Sequence, residues 1–270
     1  VKSGRDLDKF ASTGLHALPA DALSPGALSL IDRDHPLAAQ AGGARDVRTM
    51  TGQYLPSREG VTLMPEAIYA LCDLRAARPL DGMEIIAGTT SFAEQTALQR
   101  EAYLRYAQVY APLESAAMAE KYVPGAGESE HQSGWAFDIA LTGTLEMGRA
   151  DRLLQTDFGE WLDENMWQYG FTERYPREKA AHFSGGCEQI HLRYVGREHA
   201  LAMRAMNLCL EEYLSLLRAR GSLLIERAGR REALILYVPI TGAQTVYIPR
   251  GAVVVAASGD NAGGAVIVLR

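Results

Sequence analysis

Two short segments of this chain carry residues that could do chemistry together. The first is Ser129-Glu130-His131-Gln132-Ser133-Gly134-Trp135-Ala136-Phe137-Asp138, and the second is Glu188-Gln189-Ile190-His191. His131, Asp138 and His191 are candidate metal ligands, and Glu188 is a candidate base. A catalytic Zn²⁺ site commonly takes three protein ligands and keeps its fourth position open for water or substrate. A carboxylate beside such a site can take a proton from that water and later return it to a leaving amine. The segments therefore hold the parts of a hydrolytic zinc centre.

Each residue has a plainer reading. Asp138 lies in the apolar run Trp135 to Leu141, where a carboxylate is costly to bury without a cation or good hydrogen bonds. A metal is one such partner; backbone donors or an Arg are others. His131 stands seven residues earlier across Gly134, and a glycine there permits a tight bend back toward the strand. His191 lies in the apolar run Ile190 to Val195 and needs partners for its ring nitrogens. Alone, Glu188 would read as a solvated loop carboxylate.

The elements that must position these groups are legible in outline. Trp135–Leu141 and Ile190–Val195 read as strands, the second with period-2 alternation, and so does Met83–Ala87. Pro65 opens a helix with Ile68, Leu71, Cys72 and Leu74 on its apolar face. Ser91 and Glu94 form a capping-box pair for a helix from Phe92 to about Tyr110. Leu113 to Lys121 reads as a third helix, and a fourth runs from Phe158 to Tyr169, stopped by Gly170. His199 to about Leu217 reads as one long amphipathic helix. Leu28–Ile31 reads as a short strand, and residues 1–27 as a poorly structured arm. After Gly221 the runs Leu223–Ile225, Ala233–Val238, Thr245–Ile248, Val253–Ala257 and Ala265–Leu269 are β-like, with turn residues such as Ser258-Gly259-Asp260-Asn261 between them. The expected division is an arm at 1–27, a catalytic domain at 28–220 and a small β-rich segment at 221–270.

The 270-residue chain is 47% apolar with a net charge of −6. That balance suits a packed protein and leaves no basic footprint for nucleic acid or anionic lipid. Cys72, Cys187 and Cys209 are scattered and form neither a disulfide framework nor a metal-ligand pair. Cys187 reads as a packing residue, and His182 as an exposed histidine. No run has the length of a membrane span. The chain begins with Val1 rather than Met, as a chain would after loss of an export signal or anchor, so the expected compartment is outside the membrane, with membrane attachment only through such an anchor.

Ser-x-His-x-x-Gly-x-x-x-Asp at 129–138, joined to Glu-x-x-His-x-Arg-Tyr-Val-Gly at 188–196, resembles the VanY-type D-alanyl-D-alanine carboxypeptidases of bacteria. These zinc peptidases are grouped with lysostaphin-like and hedgehog-like domains. Asp-Arg-Asp-His-Pro-Leu at 32–37, Phe-Gly-Glu-Trp-Leu at 158–162, Tyr-Gly-Phe at 169–171 and Arg-Tyr-Pro at 174–176 add to the likeness, which covers roughly residues 28–215. The resemblance implies an α+β fold, with a small antiparallel sheet carrying the zinc site and helices packed against it; the small C-terminal all-β appendage lies outside the resemblance. It implies Zn²⁺ on His131, Asp138 and His191, Glu188 as general base, and Ser129 and Gln95 as substrate contacts. The implied substrates are peptidoglycan stem peptides or their precursors, cleaved at the terminal D-Ala.

Two departures stand out. The family has Gly-Tyr-Arg-Ser where this chain has Gly88-Thr89-Thr90-Ser91, so an Arg that faces the scissile carbonyl is replaced by Thr90. Loss of one such donor typically costs about 10²–10³ in rate. Arg174 or Arg193 could reach in, the substrate could differ, or the protein could bind zinc and peptide with little turnover. The related alternatives are a cell-wall binding module and a peptidoglycan peptidase of other specificity, L,D-carboxypeptidase or endopeptidase. The second departure is Gln189-Ile190 in place of Pro-Trp, which removes an aromatic wall near the site.

Overall fold

The structure is a computed structural model that describes residues 2–3, 13–17, 25–38, 47–49, 56–79, 83–141, 156–176, 178–179, 190–240, 245–249 and 251–270. The chain divides into two compact units, Ile31–Arg197 and Val1–Leu30 with Glu198–Arg270.

In the unit Ile31–Arg197 a four-stranded sheet has the order β5 (Met83–Ala87), β6 (Ala136–Leu141), β8 (Ile190–Tyr194), β7 (Phe171–Glu173). Every neighbouring pair is antiparallel. A two-residue ladder joins β3 (Arg48–Thr49) to β4 (Thr62–Leu63). Successive side chains on a strand point to opposite faces. Phe137, Ile139, Ile190 and Leu192 enter one apolar cluster with Leu71 and Leu74 of α1 (Pro65–Ala77) and Leu162 of α4 (Asp157–Asn165). The residues between them, Asp138, His191 and Arg193, therefore project from the other face. That face is covered too, because β8 is buried at four successive positions. The alternation expected for β8 is one of chemistry, apolar against polar, and not of exposure.

Local signals explain the helices. Pro occupies the first turn of α1. In α2 (Phe92–Tyr106) the Ser91 hydroxyl accepts from Glu94 N at 3.1 Å and the Glu94 carboxylate from Ser91 N at 2.7 Å. This helix stops four residues before the expected Tyr110, and α3 (Pro112–Tyr122) follows. Thr156 caps α4 by accepting from Gly159 N at 3.0 Å. The last turn, Met166–Tyr169, tightens to 3₁₀ and ends at Gly170 with φ +89°.

The other unit holds a five-stranded sheet in the order β1 (Lys2–Ser3), β9 (Ser222–Arg227), β10 (Arg230–Pro239), β13 (Gly264–Leu269), β12 (Val254–Gly259). A separate pair joins β2 (Thr13–Ala17) to β11 (Thr245–Pro249). The N-terminal arm thus supplies two strands, contrary to the expectation of a poorly structured segment. Their hydrogen-bond partners lie more than two hundred residues downstream, beyond any local pattern.

Leu28–Ile31 is not a strand. Its backbone is held as a buried loop: Leu28 N donates to Ser258 Oγ at 3.0 Å, Leu30 N to the Asp260 carbonyl at 2.9 Å, and Asn261 Nδ2 to the Leu30 carbonyl at 3.0 Å. The expected long helix from His199 is two helices, α5 (Arg197–Met206) and α6 (Leu210–Arg220). The break falls at Asn207, whose φ of +52° is left-handed, a conformation Asn tolerates better than most residues. Glu212 then caps the new start by accepting from Cys209 N at 2.9 Å. From Glu198 onward both helices fall in the unit that contains the C-terminal strands. Among the described residues, Cys72 and Cys209 are free thiols and no helix is long and apolar enough to cross a membrane.

Candidate metal centre

The sheet register places the first pair of candidate ligands. Asp138 on β6 stands directly opposite His191 on β8, and directly paired side chains share a face with Cβ atoms about 4.5–5.5 Å apart. His191 Nδ1 lies 2.6 Å from Asp138 Oδ1. His131 comes from the 3₁₀ turn Glu130–Ser133, which ends at Gly134 with φ +73°. That left-handed glycine folds the turn back onto β6, and His131 Nε2 ends 3.4 Å from Asp138 Oδ2.

The ring of His131 is oriented from behind. Its Nδ1 is 2.8 Å from the Gly88 carbonyl. A carbonyl can only accept, so Nδ1 is committed as the donor and Nε2 is the nitrogen available to a metal. Gly88 has to be glycine for this approach, because a Cβ there would lie 2.5 Å from the Thr62 carbonyl and 2.8 Å from Val61 Cγ1. The two imidazoles meet edge to face at 4.9 Å, and Tyr175 stacks on His191 at 5.2 Å.

His131, Asp138 and His191 each offer one donor atom, all within 4.8 Å of one another. Two imidazole nitrogens and a carboxylate are the ligand types zinc accepts, and tetrahedral bond lengths near 2.0–2.2 Å place donors about 3.4 Å apart. The donor set fits a zinc ion. Burial raises the Asp138 carboxyl, but the His131 charge and the hydrogen bonds from His131 and His191 outweigh it and hold the group well below the usual carboxylate range. Burial lowers His191, and the bonds to Asp138 and Glu130 outweigh that to bring it up to about 9. A proton on Nδ1 and a metal ion compete for the same lone pair, so metal uptake at this site releases a proton.

Glu130 is the residue that sequence reasoning missed. It is buried, and its carboxylate meets three cationic or protonatable groups: Arg174 Nε at 2.6 Å and Arg193 Nη1 at 2.9 Å on Oε1, and His191 Nε2 at 3.4 Å on Oε2. Burial raises its carboxyl, yet Arg174, Arg193 and His191 together hold it far below the carboxylate range. A Glu set between Ser129 and His131, with two arginines flanking the later ligand, was the available signal. It reads as an ordinary polar residue until the partners are seen. Arg174 and Arg193, considered as replacements for the missing Arg, both place a guanidinium nitrogen on this carboxylate.

Thr90 does not stand in for a guanidinium either. Its N–H donates to the His131 carbonyl at 3.3 Å and its hydroxyl to Gln95 Oε1 at 3.1 Å. Gln95 is buried, and its Nε2 donates to the Pro124 carbonyl at 2.8 Å. Ser129 is buried at the N-terminal side of the ligand turn, and its side chain does not cap that turn. Glu188, with Gln189, Cys187 and His182, lies outside the described residues.

Comparison with known proteins agrees with this geometry. The family model described as VanY, D-alanyl-D-alanine carboxypeptidase, matches residues 60–197. A D-alanyl-D-alanine carboxypeptidase of Enterococcus faecium is 36% identical over 132 residues, which are 49% of this chain and 41% of that protein, so the match spans less than half of the relative's length. The zinc complex of a mutant of the vancomycin-resistance D,D-pentapeptidase VanY from a VanB-type cassette matches with a TM-score of 0.56 and 31% identity, over 70% of this chain and 98% of that one. The vancomycin-resistance D,D-dipeptidase VanXYg, in complex with a D-Ala-D-Ala phosphinate analogue, gives a TM-score of 0.77 at 23% identity, over 96% of this chain and all of that one. This last likeness is one of fold, and it reaches beyond residues 60–197. The family match over half the chain, on the segment that brings His131, Asp138 and His191 together, establishes that the chain belongs to the VanY family of D-alanyl-D-alanine carboxypeptidases.

Proposed function

We propose that this protein is a zinc-dependent D-alanyl-D-alanine carboxypeptidase that removes the terminal D-Ala of bacterial cell-wall peptides, acting outside the membrane on peptidoglycan stem peptides or their precursors. The observation that carries the reading is the convergence of His131, Asp138 and His191 in a VanY-family unit. Zinc bound there supplies a Lewis acid for the scissile carbonyl and acidifies water. The chain's own groups do the rest. His131 and His191 offer their lone pairs, oriented by the Gly88 carbonyl and Glu130. Asp138 supplies the ligand charge. Glu188 takes the proton of the attacking water and delivers it to the departing D-Ala amine. Ser129 helps to hold the substrate's terminal carboxylate, and Gln95 lines the substrate site.

A second reading is favoured by Thr90 and by the engagement of Arg174 and Arg193 with Glu130. Without a guanidinium for the oxyanion, turnover of D-Ala-D-Ala would be slow, and the site would serve binding or another peptide bond.

One assay separates the two. D-Ala release is followed from a peptide ending in Lys-D-Ala-D-Ala, with zinc-loaded protein beside Glu188→Ala. The expected outcome is release that falls by about 10²–10⁴ in the variant, the range of general acid–base catalysis. No release by either protein with metal bound sinks the D,D-carboxypeptidase. Release from a peptide ending in Lys-D-Ala would then identify an L,D-carboxypeptidase.

A further inference from the structure

The two oxygens of Glu130 divide their partners in a way that bears on the metal. Oε1 takes both arginines, Arg174 at 2.6 Å and Arg193 at 2.9 Å. Oε2 is left facing His191 Nε2 at 3.4 Å. Both Oε2 and Nε2 are buried, and among the described residues neither makes a well-aligned hydrogen bond. A buried donor and a buried acceptor that face each other can satisfy one another on a small shift, and leaving either one alone is costly.

If Glu130 served only to neutralise buried arginines, one carboxylate facing two guanidinium groups would already be outnumbered in charge, with no reason to turn an oxygen toward an imidazole. The placement makes sense once the other side of that imidazole is considered. His191 Nδ1 points to Asp138 at 2.6 Å, into the ligand cluster. A neutral imidazole carries one proton, and whichever nitrogen keeps it cannot bind a metal. An anionic acceptor at Nε2 holds the proton there and leaves the Nδ1 lone pair for the metal. It also raises the basicity of that lone pair, as carboxylate partners of ligating histidines do. Tyr175 stacked on the ring at 5.2 Å restricts its rotation, and Arg174 lies over Tyr175 at 4.8 Å from the ring centre. The Gly88 carbonyl does the same work for His131 from a neutral oxygen on Nδ1. The two ligand histidines thus present different nitrogens, each selected by the acceptor behind it.

We propose that Glu130 is a positioning residue for the metal: its Oε2 fixes the tautomer and orientation of His191, and Arg174 and Arg193 fix Glu130. This rests on the reading of His131, Asp138 and His191 as a zinc site.

The test measures zinc affinity of the folded protein by competition with a chelating dye, for wild type and Glu130→Gln. Glu130→Gln keeps the shape and removes the charge, and it is expected to weaken zinc binding by roughly 10- to 100-fold, the usual effect of losing a partner of a metal ligand. Thermal unfolding of the zinc-free proteins is recorded alongside. A purely structural Glu130 would lower the unfolding midpoint and leave the zinc affinity of the folded variant at the wild-type value, and that result overturns the proposal. Should Glu130→Gln not fold, ¹⁵N spectra of histidine-labelled, zinc-loaded wild type decide. A proton on His191 Nε2, slow to exchange with water, supports the proposal, and a metal-bound or unprotonated Nε2 overturns it. Wild type that takes up no zinc overturns both the zinc reading and this one. Normal zinc uptake by wild type with unchanged affinity in Glu130→Gln overturns this one alone.

Discussion

Glu130 and Asp260 are both fully buried carboxylates, one in each unit, and they are satisfied in opposite ways. Asp260 sits at the turn between β12 and β13. Its Oδ1 accepts from Ala262 N and Gly264 N, each at 2.8 Å, and its Oδ2 from the Tyr237 hydroxyl at 3.0 Å and Arg218 Nη2 at 3.2 Å. Both oxygens are used by well-formed hydrogen bonds, two of them from the backbone of its own turn. On Glu130, Arg174 Nε donates to Oε1 at 2.6 Å, Arg193 Nη1 forms a 2.9 Å ion pair without hydrogen-bond alignment, and Oε2 meets the longer, poorly aligned approach of His191. A buried polar group whose bonds are all complete belongs to the scaffold. One whose second oxygen is aimed at a metal ligand belongs to the site, where full satisfaction waits on the correct proton position.

The sharpest way to break this contrast is to remove the scaffold carboxylate. Asp260→Ala would orphan the N–H groups of Ala262 and Gly264 and leave the Tyr237 O–H without its acceptor, though Arg218 Nε still donates to that oxygen, at about 1–3 kcal/mol for each unsatisfied group. The expected loss in unfolding free energy is roughly 3–5 kcal/mol by denaturant titration, with zinc affinity of the folded protein unchanged. A shift in zinc affinity as large as that expected for Glu130→Gln would erase the distinction between the two carboxylates.

A second comparison concerns histidines. His199 in the terminal unit is buried against the Tyr213 hydroxyl at 2.7 Å, and burial lowers its pKa to about 4 against the small opposing effect of Glu198. Above pH 6.5 it is neutral in both folded and unfolded chains and contributes no pH dependence. Below that, the unfolded chain takes up its proton first, so stability falls with acidification until about pH 4. The integrated loss is about 3 kcal/mol at roughly 1.4 kcal/mol per pH unit. Unfolding free energies at pH 7 and pH 4 for wild type and His199→Gln check this. The variant should lose less stability by about that amount, and an equal loss would show that His199 is not held neutral by the fold.

The smallest effects are expected at two glycines. A Cβ on Gly264 would lie 2.1 Å from the Tyr237 hydroxyl oxygen, and one on Gly88 would lie 2.5 Å from the Thr62 carbonyl. Each Ala substitution should cost roughly 1–3 kcal/mol through forced displacement. The contrast predicts a difference in kind: Gly88→Ala shifts the carbonyl behind His131 and weakens zinc binding, whereas Gly264→Ala moves Tyr237 and leaves zinc binding alone. Dye competition on both variants measures it.

Much of the α+β architecture was legible from local signals. The Ser91–Glu94 capping box, Pro65 in the first turn of α1 and Gly170 after the fourth helix act within a turn of backbone, so their effect does not depend on the rest of the molecule. The grouping of His131, Asp138 and His191 was legible for a related reason. Imidazoles and a carboxylate inside apolar strands need partners, and Gly134 marked the bend that joins two of them. Residues whose environment lies far away were misread. Leu28–Ile31 has strand composition but answers to Ser258, Asp260 and Asn261, and the pairing of the N-terminal arm with β9 and β11 left no trace in its own residues. Asn207 interrupts a pattern that is amphipathic on both sides of it, so the hydrophobic period alone runs straight through the break.

The sequence by itself determined which groups could bind a metal, because ligand chemistry is a property of side chains and their short-range spacing. Only the tertiary structure decided which nitrogen of each histidine faces the site, and that Glu130, Arg174 and Arg193 stand behind one of them. Those assignments depend on desolvation and on register across strands: Asp138 meets His191 because β6 and β8 pair at that residue, and Glu130 meets Arg174 forty-four positions away because both are shut off from water. A chain read one residue at a time carries no measure of either.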